Sequence, residues 1–369
     1  MFLGSLFEGS LFLFFRSAEF RTVLRHGKGT GSMEELEIGT LLAGDQDVLK
    51  RATAEMTAQP VDEERMEVPS GDAAWLQTTI AKPVSVTGPG TFLGKAVRRL
   101  EFLPAPRPGW RFERTDLGYS LDIEVSVRNI WTTARNIVLC SGSPHNYMRM
   151  VEHIVALKYM GLDNVLIRMD SGDPPLFDRS SMDLVEAIEQ AGIVQQADPA
   201  RIVTVKEPVS ITAPNGGFLT ILPARDGNRR LTVDCAVNFP NAIGKQRIRF
   251  DVNPQTFRHG AVARTNTNMW MMLYCKTVGK LFADTRNLGY TLNNILVAGP
   301  RKYVNEPFLL HNGKSLEAVW HRAVLDLLAA VALIDMGRLA GHIISYKAGH
   351  TLDCDLMRLL YQKDLLEDV

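Results

Sequence analysis

The run M-R-M-V-E-H-I-V-A-L-K-Y-M-G sets Glu152 beside His153 at the head of an apolar stretch. Two further histidines stand out. His321 lies on a long helical pattern with Asp326 after it, and His350 sits in a glycine-containing loop behind a strand, where scaffolds commonly present functional groups. Most histidines in folded proteins need only a hydrogen bond, so a structural role competes at each position. A metal hydrolase needs two or three neutral His or carboxylate ligands and one position open to water. It also needs a carboxylate to take that water's proton and an acid to protonate the leaving group. Glu152, His153, His321, Asp326 and His350 are of the right types for those roles.

The elements that would position these residues follow from periodicity. From Leu76 the chain alternates as strands do, in T-T-I-A-K-P-V-S-V, A-V-R-R-L-E-F-L-P-A and G-Y-S-L-D-I-E-V-S-V. A helix is expected from about Tyr147 to Met160, closed by Gly161, then a strand N-V-L-I-R-M. A second helix follows, with Ser181 as N-cap and Gly192 as its stop. Near Val203 the pattern restarts with strands broken by Asn-Gly and Asp-Gly turns. It ends with a long helix from about Ser315 to Met336 closed by Gly337, a strand H-I-I-S-Y, and a last helix after the turn K-A-G-H-T. Both halves read strands, helix, Gly, strand, loop, helix. The expected fold is therefore α+β: two similar halves over 76–200 and 201–369, each a sheet layered on helices, packed as a two-domain sandwich.

Residues 1–75 read as a poorly ordered extension. The opening M-F-L-G-S-L-F-E-G-S-L-F-L-F-F-R is apolar, but Glu8 interrupts it and neither a basic region nor a small-residue cleavage site marks a signal peptide. No apolar run has the length of a membrane span. Lys+Arg and Asp+Glu are both 41, so charge gives no reason to expect nucleic acid or an anionic membrane as partner. Cys140, Cys235, Cys275 and Cys354 form no C-x-x-C pair and read as reduced, packing thiols. The loop G-P-G-T-F-L-G-K lacks the G-K-[ST] ending of a phosphate-binding loop and sits between strands.

From about Leu76 to Leu366 the chain resembles the UDP-3-O-acyl-N-acetylglucosamine deacetylases, zinc amidohydrolases of lipid A biosynthesis. L-Q-T-T-I followed by G-P-G-T-F-L-G-K resembles that family's Q-x-T-[IL] and G-x-G-[LI]-H-[ST]-G-K. V-E-H-I-V-A-L-K-Y-M-G-L-D-N is similar to T-V-E-H-L-x-A-A-L-x-G-L-G-I-D-N, and P-P-L-F-D-R-S-S to I-P-I-M-D-G-S-A. A-R-T-N is similar to A-R-T-F, and Y-K-A-G-H-T-L to K-S-G-H-A-L-N. The resemblance implies that Glu152 is the general base and His153 the first zinc ligand. It implies that His350 is the general acid or stabiliser of the tetrahedral intermediate, and that the Thr265 hydroxyl helps hold the oxyanion. Asp178 and Ser180 match a structural loop.

The chain departs from that pattern on the long helix. The family's R-H-K-x-L-D-A-x-G-D holds a ligand His and Asp four residues apart and a last Asp that orients the catalytic histidine. Here the run is W-H-R-A-V-L-D-L-L-A-A, which puts the two remaining ligands, His321 and Asp326, five apart. On a regular α-helix an i,i+4 pair is separated by about 40° and an i,i+5 pair by about 140°. A single π-bulge would restore the alignment. No bulge supplies the orienting carboxylate, whose place falls on Ala329 or Ala330. The opening-loop histidine is Phe92, the aromatic after the threonine is Asn266, and the lysine after the ligand His is Arg322 or Ala323.

Two readings follow. One is a divergent zinc deacetylase acting on a UDP-linked acylated amino sugar. The other is a catalytically inactive homologue that binds a nucleotide-sugar, an acyl ligand or a protein partner. The resemblance implies a monomer in the cytoplasm of a Gram-negative bacterium, or in an organelle of bacterial origin.

Overall fold

The structure is a computed structural model that describes residues 36–66, 76–91, 96–105, 107–119, 121–270 and 289–369. The expectations for the first 35 residues, Phe92 and Cys275 lie outside them. Strands and helices are both present, and the α+β expectation holds.

Between residues 84 and 169 a five-stranded sheet runs in the order Val84–Pro89, Val97–Pro104, Val165–Met169, Trp110–Arg114, Ile123–Glu124. Its central strand Val165–Met169 is antiparallel to one neighbour and parallel to the other. The strand Trp110–Arg114 is absent from the sequence reading. Its alternation W-R-F-E-R is short and carries three charges, yet Trp110 and Phe112 are buried in the core.

A seven-stranded sheet has the order Thr40–Ala43, Val209–Thr212, Phe218–Leu222, Gly341–Tyr346, Leu231–Asn238, Lys245–Asp251, Glu63–Arg65. Both edge strands come from the stretch expected to be poorly ordered, and both pair in parallel. Between them lies α1 (Gln46–Thr57), whose first turn is capped by the Asp45 carboxylate accepting from the backbone N–H groups of Asp47 and Val48 at 2.8 and 2.9 Å. Leu49, Ala52 and Met56 share one face of α1 and pack with Phe218, Leu222, Ile344 and Tyr346. Leu219, Ile221 and Ile343, pointing the other way, join the main core. Residues 36–66 are therefore part of the fold, because the sheet is apolar on both faces and α1 covers one of them.

The helices that carry the site differ from the expected ones. The helix expected from Tyr147 starts only at α2 (Glu152–Val155) and tightens into a 3-10 turn, Ala156–Met160. Tyr147–Met148 is a strand paired with Val138–Cys140, and Met150 takes a left-handed φ of 52°, so no helix can run through it. Gly161, at φ 87°, closes the turn as expected. Helix α3 (Met182–Ala191) packs against Val84–Pro89, and α4 (Pro254–Gly260) opens with an Asn253 capping box. The long helix is α5 (Glu317–His321), a π-helical segment Arg322–Leu327, and α6 (Leu328–Ala332). It starts later and stops earlier than expected. The last helix, α7 (His350–Gln362), begins at His350 itself rather than beyond it, with Gly349 extended in front.

One continuous set of buried side chains links the inner faces of both sheets with the π segment, α6 and α7.

Candidate active site

Four elements bring five of the six expected site residues together. Glu152 and His153 open α2, His321 ends α5, Asp326 lies in the π segment, and His350 is the first residue of α7. The π segment decides the geometry. Its wider turn places His321 Nε2 3.4 Å from Asp326 Oδ1 although the residues are five apart. The bulge that would restore the alignment is present.

Around Asp326 the other groups converge. His350 Nε2 is 3.6 Å from Asp326 Oδ1 and 3.9 Å from Glu152 Oε1. The rings of His153 and His321 have centroids 5.6 Å apart. Glu152 is buried, and its Oε2 accepts from the Ile137 backbone N–H at 3.0 Å, which leaves Oε1 towards His350. His321 Nδ1 lies 3.0 Å from the Ala263 carbonyl, so Nδ1 carries a proton and Nε2 is the nitrogen that faces Asp326. His153 Nδ1 lies 3.3 Å from the Ser181 hydroxyl and 3.4 Å from that of Ser180, and Ser181 Oγ also donates to the His153 carbonyl at 2.9 Å. Ser181 thus stands at the expected N-cap position of α3 but makes no capping bond there. Ser180, at φ 57°, is turned towards the histidine by a left-handed backbone.

Burial and neighbouring charges set the protonation of each group. Burial pushes His153 down to about 3, helped by the neighbouring His321, so its ring is neutral with a lone pair to give. Burial pulls Asp326 up, but His350, His321 and Arg322 outweigh it and hold the carboxylate well below the usual range. For His321, burial opposes the charged form, and Asp326 reverses that and raises it. Glu152 is raised, chiefly by burial.

Thr265, the sixth expected residue, lies two residues after Ala263, whose carbonyl meets His321. The Thr265 backbone carbonyl accepts from Leu296 N–H at 2.8 Å, and its hydroxyl bonds to none of the other five. Arg264 before it is buried and held by Glu317, with Nε 2.7 Å from Oε1. Asp178 is exposed, as a loop residue would be. Ala329 and Ala330 are fully buried and bring no carboxylate to His350, whose Nδ1 has no hydrogen-bond partner.

Sequence reasoning missed the residues that hold the ligands: Ser181 and Ser180 behind His153, the Ala263 carbonyl behind His321, and Ile137 N–H behind Glu152. Two of these are backbone groups, which no residue type announces. It also missed Glu63, from the stretch expected to be poorly ordered, whose Oε2 accepts from Trp320 Nε1 at 2.9 Å beside His321. A cavity of about 370 Å³ lies at the end of α6 among Trp110, Lys158 and Met336, and none of the six site residues lines it.

Among the described residues no three such side chains already form a ready metal cage. The donor chemistry nevertheless fits zinc. Two ligands at about 2.0–2.1 Å in a tetrahedral site stand about 3.3 Å apart, close to the His321–Asp326 separation of 3.4 Å.

Residues 77–362 match the family model described as UDP-3-O-acyl N-acetylglycosamine deacetylase. A UDP-3-O-acyl-N-acetylglucosamine deacetylase of Bdellovibrio bacteriovorus is 33% identical over 291 residues, 78% of this chain and 90% of that one. Proteins of the same name are 29% identical over 285 residues in Solibacter usitatus, 76% of this chain and 90% of that one, and 31% identical over 288 residues in Trichormus variabilis, 76% of this chain and 96% of that one.

Proposed function

The chain belongs to the UDP-3-O-acyl N-acetylglycosamine deacetylase family, and from that premise we propose a zinc-dependent hydrolysis of the N-acetyl amide of a UDP-3-O-acyl-N-acetylglucosamine-like substrate. The protein is an amidohydrolase of lipid A biosynthesis by family. The observation that carries the zinc reading is the approach of His321 and His350 to Asp326 across the π segment, with Glu152 on the other side of His350.

In this reading His153 Nε2, His321 Nε2 and one Asp326 oxygen hold the metal. When bound, zinc lowers the pKa of a coordinated water and polarises the amide carbonyl. The chain's own groups do the rest. Glu152 Oε1 takes the proton from the attacking water, and its raised affinity for protons suits a base that must hold one and pass it on. His350 Nε2, within 4 Å of both carboxylates, donates to the departing amine or to the developing oxyanion. The hydroxyls of Ser180 and Ser181 and the Ala263 carbonyl fix the tautomers of the two ligand histidines. Thr265 is proposed to reach the oxyanion only with substrate bound.

The i,i+5 spacing no longer weighs towards a binding-only homologue, since the π segment accounts for it. The proposed working form is a monomer in the cytoplasm of a Gram-negative bacterium or an organelle of bacterial origin. Among the described residues no helix is long and apolar enough to cross a membrane. Release of acetate from UDP-3-O-acyl-N-acetylglucosamine by zinc-loaded protein, absent in Glu152→Ala, tests the reading. No release at any metal loading contradicts it.

A further inference from the structure

His350 is placed without a carboxylate behind its ring. Nδ1 is buried and has no hydrogen-bond partner, and the neighbouring turn of α6 offers only Ala329 and Ala330. Something else must fix the imidazole, because a general acid has to meet its target within hydrogen-bond reach. One side chain grips the chain on either side of His350, a backbone carbonyl before it and a side-chain carboxylate after it. Arg322 Nε donates to the carbonyl of Ala348 at 3.0 Å, two residues before the histidine. Arg322 Nη2 donates to both oxygens of Asp353, three residues after it, at 2.5 and 2.7 Å. The same nitrogen lies 3.4 Å from the Ser345 hydroxyl, on the strand leading into the loop. Arg322 is 6% exposed and Asp353 fully buried, so this is an interior ion pair and not a surface one. Arg322 is also the residue after His321.

We propose that the Arg322–Asp353 pair is a positioning clamp that sets His350 against Asp326 and Glu152, in place of a carboxylate behind the ring. It rests on the deacetylase reading in so far as His350 acts on the substrate. Two features support it. A guanidinium holds its Nε and Nη2 donors at fixed positions in one rigid plane, one on the Ala348 carbonyl and one on the Asp353 carboxylate, whereas the three donors of an ammonium turn on a flexible stem. And the clamp joins the helix that carries His321 to the first turn of the helix that carries His350. The aligned K-S-G-H-A-L-N pattern carries an amide where Asp353 stands, and the long-helix pattern a carboxylate where Ala330 stands. Charge missing from one helix is present on the other.

A buried ion pair can often be exchanged for apolar residues of similar volume without loss of stability. The double variant Arg322→Met/Asp353→Leu therefore separates folding from positioning in the zinc-loaded full chain. A melting temperature close to wild type, an unchanged KM and a kcat lower by about ten- to hundredfold are expected. Full kcat in the folded variant overturns the clamp. If that variant does not fold, Arg322→Lys keeps the charge but not the two fixed donors. A clear fall in kcat at constant KM is expected there, and unchanged kcat overturns the proposal. A second readout does not need turnover: the ring 15N signals of His350 should broaden or double in the variants, and signals as sharp as wild type would overturn the clamp. If wild type releases no acetate the deacetylase reading fails, while the ring signals still decide whether the clamp positions His350.

Discussion

His321 Nε2 and Asp326 Oδ1 are 3.4 Å apart across five residues, because Arg322–Leu327 is wound as a π-helix. A regular α-helix would turn the two side chains about 140° apart. One extra residue and one wider turn cancel.

That cancellation can be tested by removing the extra residue. Deletion of Ala323, the smallest side chain in the segment, should convert it to an α-helix with the ligands at i,i+4. Zinc affinity measured by chelator competition should stay within about tenfold, or about 1.4 kcal/mol, of wild type. Loss of zinc from a folded deletion variant would show that the π turn is more than a spacer.

Glu152→Gln should keep the bond from Ile137 N–H and the metal, yet lower kcat by about 10²- to 10⁴-fold. Because burial raises the Glu152 carboxyl, its base form is lost at a higher pH than for an ordinary carboxylate. The acid limb of the kcat/KM profile should therefore fall as pH drops through a range above the usual carboxylate one. An acid limb at the ordinary value would place the base elsewhere.

The Arg264–Glu317 pair, with side chains 2% and 0% exposed, anchors the start of α5 next to Thr265. Removing one partner strands a buried charge. Glu317→Ala should cost about 3–5 kcal/mol in urea unfolding. A loss below about 1 kcal/mol, the range of exposed pairs, would contradict an interior role.

Leu49→Ala tests whether α1 belongs to the fold. Leu49 is fully buried against Phe218 and Tyr346, so truncation should cost about 2–5 kcal/mol. A neutral effect would mean that α1 does not cover the sheet in solution.

Much of the site was legible before the fold. The E-H pair, the His and Asp of the long helix and the histidine after K-A-G were all named from residue type and spacing, and a π-bulge was named as the device that would realign His321 with Asp326, without a sign in the sequence that it forms. The family blocks, present in order, agree with the profile match over residues 77–362. What stayed hidden has physical reasons. The helix start was misplaced because a left-handed φ at Met150 leaves no mark in residue type. The N-terminal strands were missed because they are short, of four and three residues, and gain their stability from pairing in parallel at sheet edges. A signal was available in F-L-T-I-L, where every position is buried. A strand apolar on both faces needs a cover on each, and among the described residues α1 supplies the outer one. The Arg322–Asp353 contact joins residues 31 apart whose meeting depends on how the loop folds back.

Metal content decides the central claim. Purified full-length protein should contain about one zinc ion per chain, with His153→Ala, His321→Ala and Asp326→Ala each losing it while remaining folded. No zinc in wild type, even after incubation with excess metal, would contradict the assembled site.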